Sequence, residues 1–306
     1  MLMNKFYLSL LGALLALGAS AQQYSAQPSM KLDSTYTVGA DGTRMSKSVI
    51  EYDANGKIAA EYQYFYQNGQ EQISGKSVCE YDDQGRQVKV NNYEYKNGDY
   101  VLVGYDEMSE FDAEGRPAVS ISYALDEENP AAGLQPDSKS VYKKYNGLNP
   151  VDAEEYVWDG SNWVLSLTIH YDYNEQGLPV TVTSTMEVMG MKMTNVGKME
   201  YDEHGQIVKS ESTSSMGIST TEEYVNTYDA DGNLIKQTCK TKGIMGMADT
   251  EVTIFMFWSK IGSTAISKVA VSAESSAAYY DLNGRRLAGK PERGLFIHNG
   301  KKVFVK

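Results

Sequence analysis

The chain has few of the residues that catalytic and metal sites use most. Its 306 residues include two cysteines and three histidines, and His170, His204 and His298 are widely separated. It contains no GxSxG, HExxH, CxxC or P-loop motif and no GxGxxG segment leading into a helix. We therefore expect a protein that is not an enzyme, with no catalytic residues, no cofactor-binding residues and no metal ligands.

Basic residues are also scarce. There are 28 Lys and Arg against 40 Asp and Glu, a net charge of −12, and one of those cations, Lys5, belongs to the N-terminal segment. An acidic surface repels nucleic-acid phosphates and anionic lipid headgroups. We expect neither nucleic acid nor a membrane surface as a partner.

Long apolar runs are confined to the N-terminus. There the run FYLSLLGALLALGA precedes Ala19-Ser20-Ala21, a small-x-small cleavage pattern that would leave Gln22 as the first mature residue. This predicts a signal peptide over residues 1–21, with Ala19, Ala21 and Gln22 at the cleavage site. A membrane anchor is the alternative, but the run is shorter than the roughly 20 residues that a span needs. We expect an exported protein with no membrane span in the mature chain.

What the sequence does contain is a repeated heptapeptide. YDANGKI at Tyr52 returns as YDDQGRQ, FDAEGRP, YNEQGLP, YDEHGQI and YDADGNL. Asp at the first corner of a type I turn, followed by Gly in the left-handed region, closes a β-hairpin, with Asp53 facing Lys57 and Tyr52 facing Ile58. The residues assigned to these turns are Tyr52, Asp53, Gly56, Tyr81, Asp82, Gly85, Phe111, Asp112, Gly115, Tyr173, Gly177, Tyr201, Asp202, Gly205, Tyr228, Asp229 and Gly232.

A second family of turns, such as Asn68-Gly69, Asn97-Gly98 and Met216-Gly217, alternates with the first. Between turns the pattern has period two, as in NWVLSLTIHY, where Trp163 and Tyr171 would share a face. The spacing predicts an all-β fold, a long antiparallel β-meander of about sixteen strands built from repeated hairpins. We expect a curved or twisted open sheet, with a closed barrel as the alternative, since sheets of more than about ten strands curl, split or close.

The positions of the two cysteines are relevant to whether the sheet closes into a barrel. Five repeat units separate Cys79 from Cys239, which places them far apart in an open sheet. A disulfide between them requires the sheet to close on itself.

The YDxxGR element resembles the YD repeats of Rhs-type proteins. Its combination with YKNGDYVLV and WDGSNWVLS is similar to β-repeat proteins secreted by Bacteroidetes. The resemblance implies a hairpin-repeat domain over residues 36–258, after a lead-in over residues 22–35.

The C-terminal stretch, residues 262–306, is similar to the sorting module of type IX secretion cargo. It has YDLNGR, then GLFI, then a basic and apolar ending. The resemblance implies a β module that docks on type IX-like secretion machinery, and the alternative is two further hairpins that cap the sheet. The matching residues are Tyr280, Asp281, Gly284, Arg285, Gly294, Gly300, Lys301 and Lys306.

Three further groups of side chains each have two possible interpretations. The turn aspartates lie along one edge of the sheet, where they are either solvated charges or a weak calcium site. Methionines such as Met186, Met191 and Met216 gather towards the opposite edge, where they either pack against hairpins or form an adaptable contact surface. Tyr- and Trp-rich faces either stabilise strands or bind glycans.

We expect a non-catalytic exported protein, at the cell surface or extracellular, with a binding or structural role at the cell envelope and an unknown protein or glycan partner. Periplasmic residence is the alternative location. A secreted glycan-binding or glycan-hydrolysing protein that uses edge carboxylates is the alternative function. A sixteen-strand outer-membrane barrel is a third hypothesis, which is disfavoured because Lys47 and Glu51 would lie on one strand face and Arg44 on the other.

Overall fold

Sixteen antiparallel strands make up the larger part of the protein. This computed structural model describes residues 29–125, 129–188, 190–243, 248–261, 279–280, 294–298 and 301–305. The strands are β1 (Met30–Gly39), β2 (Arg44–Tyr52), β3 (Ile58–Gln67), β4 (Gln70–Tyr81), β5 (Gln87–Lys96), β6 (Asp99–Phe111), β7 (Pro117–Leu125), β8 (Leu134–Asn146), β9 (Asn149–Trp158), β10 (Trp163–Tyr173), β11 (Pro179–Val188), β12 (Met191–Tyr201), β13 (Ile207–Ser214), β14 (Ser219–Tyr228), β15 (Leu234–Thr241) and β16 (Thr250–Lys260), with a 3₁₀ helix at Pro130–Ala132 between β7 and β8.

Each strand pairs with the next in sequence, and β1 pairs with β16, which closes the sheet into a barrel. The all-β antiparallel meander is confirmed, and the sheet takes the closed form that was the alternative rather than the open one. Closure leaves neither β1 nor β16 with an unpaired edge, the usual liability of a long sheet. In the β1–β16 ladder, Tyr36 pairs with Phe255 and their rings stack at 4.7 Å.

The repeated turns set the register as predicted. Tyr52 pairs with Ile58, and the Asp53 N–H donates to the Lys57 carbonyl at 2.8 Å. Gly56 has φ +80°, the left-handed conformation that the turn requires. Tyr228 likewise pairs with Leu234, so register in these hairpins follows from local chemistry.

The strand pairing sorts side chains into two faces. We take as the inner face the one that carries the two hydrophobic clusters, because side chains on the concave side of a closed wall converge and bury each other. One cluster is Ala153, Leu167, Ile169 and Met186, and the other is Leu32, Leu234 and Met256. Each cluster spans neighbouring strands, as expected of a barrel too wide for side chains to fill its centre.

Charges are distributed unequally between the faces. Away from the strand ends, the lysines of the described strands lie on the outer face. The inner face carries carboxylates that accept hydrogen bonds from neighbouring side chains, as in the pairs of Ser48 with Glu61 and Ser140 with Glu155. Arg44 lies over the outer-face rings of Tyr36 and Tyr66, so its predicted place on the face opposite Lys47 is wrong. An irregularity between Thr37 and Val38 in the β1–β2 ladder moves it there. The outer lysines include Lys47, Lys76, Lys89, Lys139, Lys198, Lys209, Lys236 and Lys240.

Closure does not join the two cysteines. Cys79 on β4 and Cys239 on β15 both lie on the inner face, and both are free thiols. Burial raises the pKa of each thiol, which reduces the fraction present as thiolate, the reactive form, at neutral pH.

The chain divides into two compact units, Met1–Thr264 and Ala265–Lys306. The described part of the second unit is a three-stranded antiparallel sheet. Its strands are β17 (Tyr279–Tyr280), β18 (Gly294–His298) and β19 (Lys301–Val305). No helix of the described residues is long and apolar enough to cross a membrane.

Candidate functional site

The predicted turns meet at one end of the barrel, here called the aspartate rim, formed by residues 53–57, 82–86, 112–116, 147–148, 174–178, 202–206 and 229–233. At each of the six copies with Asp or Asn after the aromatic residue and Gly three positions later, the side-chain oxygen caps its own turn. Asp53 Oδ1 accepts the Asn55 and Lys57 N–H groups at 2.8 Å each. The Lys57 N–H accordingly lowers the pKa of Asp53 below its ordinary value. The same caps occur at Asp82, Asp112, Asn174, Asp202 and Asp229.

Neighbouring turns are also tied to each other. Lys57 Nζ donates to the Gly85 carbonyl at 2.8 Å, and Arg116 Nη1 donates to the Gly147 carbonyl at 2.6 Å. Arg116 also pairs with Asp112 in its own turn at 2.6 Å. These bonds tie several neighbouring turns together, and the capping carboxylates are occupied by their own turns.

The repeated tyrosines have a role that sequence reasoning missed. Five hydroxyls reach back 20 or more residues to the neighbouring strand, where each donates to the backbone carbonyl at or near the start of that strand. The bonds are Tyr52 to Leu32, Tyr81 to Ile58, Tyr145 to Pro117, Tyr173 to Pro150 and Tyr201 to Pro179. Burial raises the pKa of these five hydroxyls to about 12.

An eighth copy of the motif was also missed. Trp258 Nε1 donates to the Leu234 carbonyl at 2.8 Å, the same bond that the tyrosine hydroxyls make. In sequence Trp258-Ser259-Lys260-Ile261-Gly262 aligns with YDxxG, but Trp replaces Tyr and Ser replaces Asp. The signal that could have found it is the spacing of 30 residues from Tyr228, within the period of the other units.

Two of the eight aromatic positions depart from the pattern. Phe111 has no hydroxyl to donate. Tyr228 donates instead to Asp202 Oδ2 at 2.5 Å, and Asn226 Nδ2 takes over the bond to the backbone, at the Ile207 carbonyl. The His204 ring packs on Tyr228 with centroids 4.0 Å apart.

The remaining predicted residues fall elsewhere. Ala19, Ala21 and Gln22 lie outside the described residues, as do Asp281, Gly284, Arg285, Gly300 and Lys306. Tyr280, Gly294 and Lys301 lie in β17, β18 and β19. The signal and sorting assignments therefore stay predictions.

The outer face carries a series of aromatic rings interspersed with lysines from β16 round to β10. Lys76 Nζ lies 4.4 Å from the Tyr100 ring centroid and 5.3 Å from that of Tyr93. We name this set the aromatic–lysine row: Phe255, Tyr36, Lys47, Tyr64, Lys76, Tyr93, Tyr100, Tyr105, Tyr123, Lys139, Tyr156 and Trp163.

One end of this row borders a shallow hollow of about 210 Å³ on the outer face of β8 to β11, here called the outer depression. Thr168, Thr183 and Thr185 are among the residues that line it. It is smaller than the roughly 300–1,000 Å³ of enclosed small-molecule pockets. Its size and openness to solvent suit one ring of a larger ligand.

Charged groups surround the depression. His170 lies between two carboxylates, with Nδ1 2.6 Å from Asp152 Oδ1 and Nε2 3.3 Å from Asp172 Oδ1. The Asp152 contact raises the pKa of His170 above its ordinary value. Lys143 pairs with Glu154 at 2.9 Å, and Glu154 also accepts the Tyr156 hydroxyl. Within the described residues no group of three or more His, Cys, Asp or Glu side chains could hold a metal ion.

A β-bulge explains why Trp163 was misplaced. In the β9–β10 ladder, Leu165 pairs with Tyr156 and Leu167 pairs with Glu155, so Ser166 is the extra residue. The bulge puts Trp163 and Leu165 on the outer face, whereas Leu167, Ile169 and Tyr171 lie inside. The predicted single face is therefore wrong, and the outer depression could not be read from alternation.

No protein-family model matches the chain, and no curated protein matches it. Among solved structures, it is similar to a porin-like protein from Bacteroides uniformis, with 11% identity, TM-score 0.49, and coverage of 77% of this chain and 100% of that one. A porin-like protein from Bacteroides vulgatus has 9% identity, TM-score 0.34, and coverage of 74% and 97%. A protein of unknown function from Bacteroides fragilis has 11% identity, TM-score 0.35, and coverage of 43% and 96%. None of these likenesses carries a role over to this chain.

Proposed function

We propose that this chain is a non-catalytic exported β-repeat protein, secreted or held at the cell surface, with a binding or structural role at the cell envelope. Its N-terminal segment and its type IX-like C-terminal module direct it there. The partner of the module is secretion machinery, and the partner of the barrel is an extracellular protein or glycan.

The observation that carries the proposal is the charged outer face of the closed barrel. Lys76, Lys139 and Lys198 lie well inside their strands and point outward. Charged side chains at mid-height of a lipid-facing wall cost about 2–4 kcal/mol each for Lys or Arg. The outer face of the wall is therefore better suited to contact with water than with lipid, and we infer a barrel that does not cross a bilayer. Solubility of the mature protein without detergent tests this inference, and partition into membranes would contradict it.

The use of the turn carboxylates supports a non-catalytic role. Asp53 and its counterparts accept backbone N–H groups of their own turns, so they are held as ionised caps. A glycosidase needs one carboxyl group free to donate a proton and a second one opposite it. The capping aspartates of the rim are committed to their own turns, which supports a role other than hydrolysis by these groups.

The decisive experiment is the intact mass of the native protein in culture medium, on the cell surface and in the periplasm. We expect an extracellular species that begins at Gln22 and lacks the last few tens of residues. A periplasmic species that retains Lys306 would overturn surface delivery and make the C-terminal module a structural cap.

Glycan binding is the second candidate function. It is favoured by the outer depression, where threonine hydroxyls, carboxylates and Lys143 lie beside the half-buried Tyr156 ring and the exposed Leu165 side chain. Unlike hydrolysis, glycan binding does not require a general acid and a general base placed on either side of a glycosidic bond.

A further inference from the structure

We propose that the outer depression and the adjoining end of the aromatic–lysine row form a binding site for an extended neutral glycan chain. The inference deepens the proposed function and rests on it, since an exported protein meets such chains at the cell surface. One sugar ring occupies the depression, and its neighbours lie along the row.

The polar groups of the depression match sugar hydroxyls, which both donate and accept hydrogen bonds. Lys143 supplies a donor, Asp152 and Glu154 supply acceptors, and Thr168 supplies a hydroxyl that does either. These groups project from three neighbouring strands, β8, β9 and β10, so their spacing is fixed by the sheet.

An apolar edge lies directly beside these polar groups. The Tyr156 hydroxyl donates to Glu154 at 2.5 Å, which places the ring against the depression. Leu165, the cross-strand partner of Tyr156, is 50% exposed, and Lys139 lies over both Tyr156 and Trp163. The C–H faces of a sugar ring pack on such aromatic and aliphatic surface, while its hydroxyls reach the carboxylates.

The row gives the site length. From Tyr156 on β9 it continues to its partner Lys139 on β8, which pairs with Ile121 on β7. Two residues further along β7, on the same face, Tyr123 stacks on Tyr105 of β6 at 4.5 Å. Adjacent strands are about 4.8 Å apart, so these side chains follow one another across the strands at short intervals, with one step of two residues along β7. A linear polymer is the ligand that can use such a series.

The charge balance favours a neutral chain over a polyanion. Lys143 is offset by Glu154, and His170 lies between Asp152 and Asp172. A nucleic acid or dense polyuronate would bring its charges against these carboxylates and against a chain of net charge −12.

Affinity electrophoresis and calorimetry of the full mature protein test the proposal. The probes are three neutral polysaccharides (laminarin, arabinoxylan and galactomannan), polygalacturonate and a single-stranded oligodeoxythymidine. We expect binding to at least one neutral polysaccharide, with little dependence on salt. Failure of all three, or binding confined to the polyanions with a steep salt dependence, would overturn the proposal.

Variants locate the site. Leu165→Ala and Glu154→Gln should each weaken binding, and Trp163→Ala should weaken it about tenfold, the value of one lost aromatic contact. The matched controls Val225→Ala and Glu223→Gln change the same residue classes on the outer face of β14 and should bind normally. Equal affinity of site variants and controls would contradict the assignment. Leu165 is exposed, so its variant keeps the test valid if Trp163→Ala unfolds the protein.

The two proposals can fail separately. An extracellular protein that binds no neutral glycan overturns the binding site and leaves the proposed location intact. A periplasmic protein that binds a neutral glycan overturns surface delivery and leaves the binding site intact.

Discussion

Glu154 and Glu155 are neighbours on β9 that point to opposite faces of the barrel wall, and their pKa values shift in opposite directions. Burial on the inner face raises the pKa of Glu155, although the Ser140 hydroxyl donates to it at 2.8 Å. On the outer face, hydrogen bonds from Tyr156 and Lys143 lower the pKa of Glu154. The opposite pKa shifts of these two adjacent glutamates thus reflect the different environments of the inner and outer faces.

Glu155→Gln should keep or raise stability at pH 7. The raised pKa means that the folded state favours the neutral acid, so ionised Glu155 costs stability above its pKa, and the cost fades as pH falls. An amide removes the charge and can still accept the Ser140 hydrogen bond. Urea unfolding at pH 7 and pH 4 checks this, and the advantage of the variant should shrink at pH 4.

Glu154→Gln is the companion change on the outer face. It removes the ion pair with Lys143, a pair open to solvent, so we expect a loss of at most about 1 kcal/mol at pH 7. A loss larger for Glu155→Gln than for Glu154→Gln would show that the two faces are assigned the wrong way round.

Phe111→Tyr should stabilise the barrel. Phe111 is the member of the rim series without a hydroxyl, and by analogy with Tyr81 and Ile58 a tyrosine there would donate to the carbonyl at the start of β5. One added hydrogen bond contributes about 1 kcal/mol. Tyr173→Phe, which removes the bond to Pro150, should lose a similar amount. Denaturant midpoints of the two variants should therefore move in opposite directions.

How much of the fold and of the candidate site could be predicted from the sequence depends on how close in sequence the residues that form each feature are. The hairpin register followed from Asp53 and Gly56, because the Asp cap and the left-handed Gly act within five residues. Closure could not be predicted, since pairing of Tyr36 with Phe255 depends on twist accumulated over sixteen strands. The bond from Tyr52 to Leu32 was hidden because its acceptor lies 20 residues away, near the start of the neighbouring strand β1.

The candidate site depended on irregularities that leave little trace in the sequence. The bulge at Ser166 changes the face of Trp163, and period-two reasoning has no means to place it. His170 was located in a strand by its pattern, but its two carboxylate neighbours depend on register: Asp152 is its partner across the β9–β10 ladder.

Gly75→Ala should destabilise the protein strongly, although Gly75 does not have positive φ. A methyl group there would overlap the Tyr93 carbonyl oxygen of the neighbouring strand, so the β4–β5 ladder would have to shift. Overpacking of this kind costs about 1–3 kcal/mol. Ser74→Ala, at the exposed neighbouring position, is the control and should change little. Equal thermal stability of the two variants would contradict the backbone contact.

Alkaline pH should unfold the barrel through its tyrosine series. The folded-state pKa of Tyr52, Tyr81 and Tyr173 is about 12, above the ordinary value of 10.0. A raised pKa means that the folded state favours the neutral phenol, so its contribution is complete below pH 10 and is lost as pH rises from 10 towards 12. Phenolate absorbance, followed with circular dichroism, should show these hydroxyls ionising together with loss of the sheet. Tyr173→Phe should reduce the steepness of that loss, because one linked group is removed. Ionisation of all tyrosines near pH 10 in an intact sheet would contradict the buried bonds to the neighbouring strands.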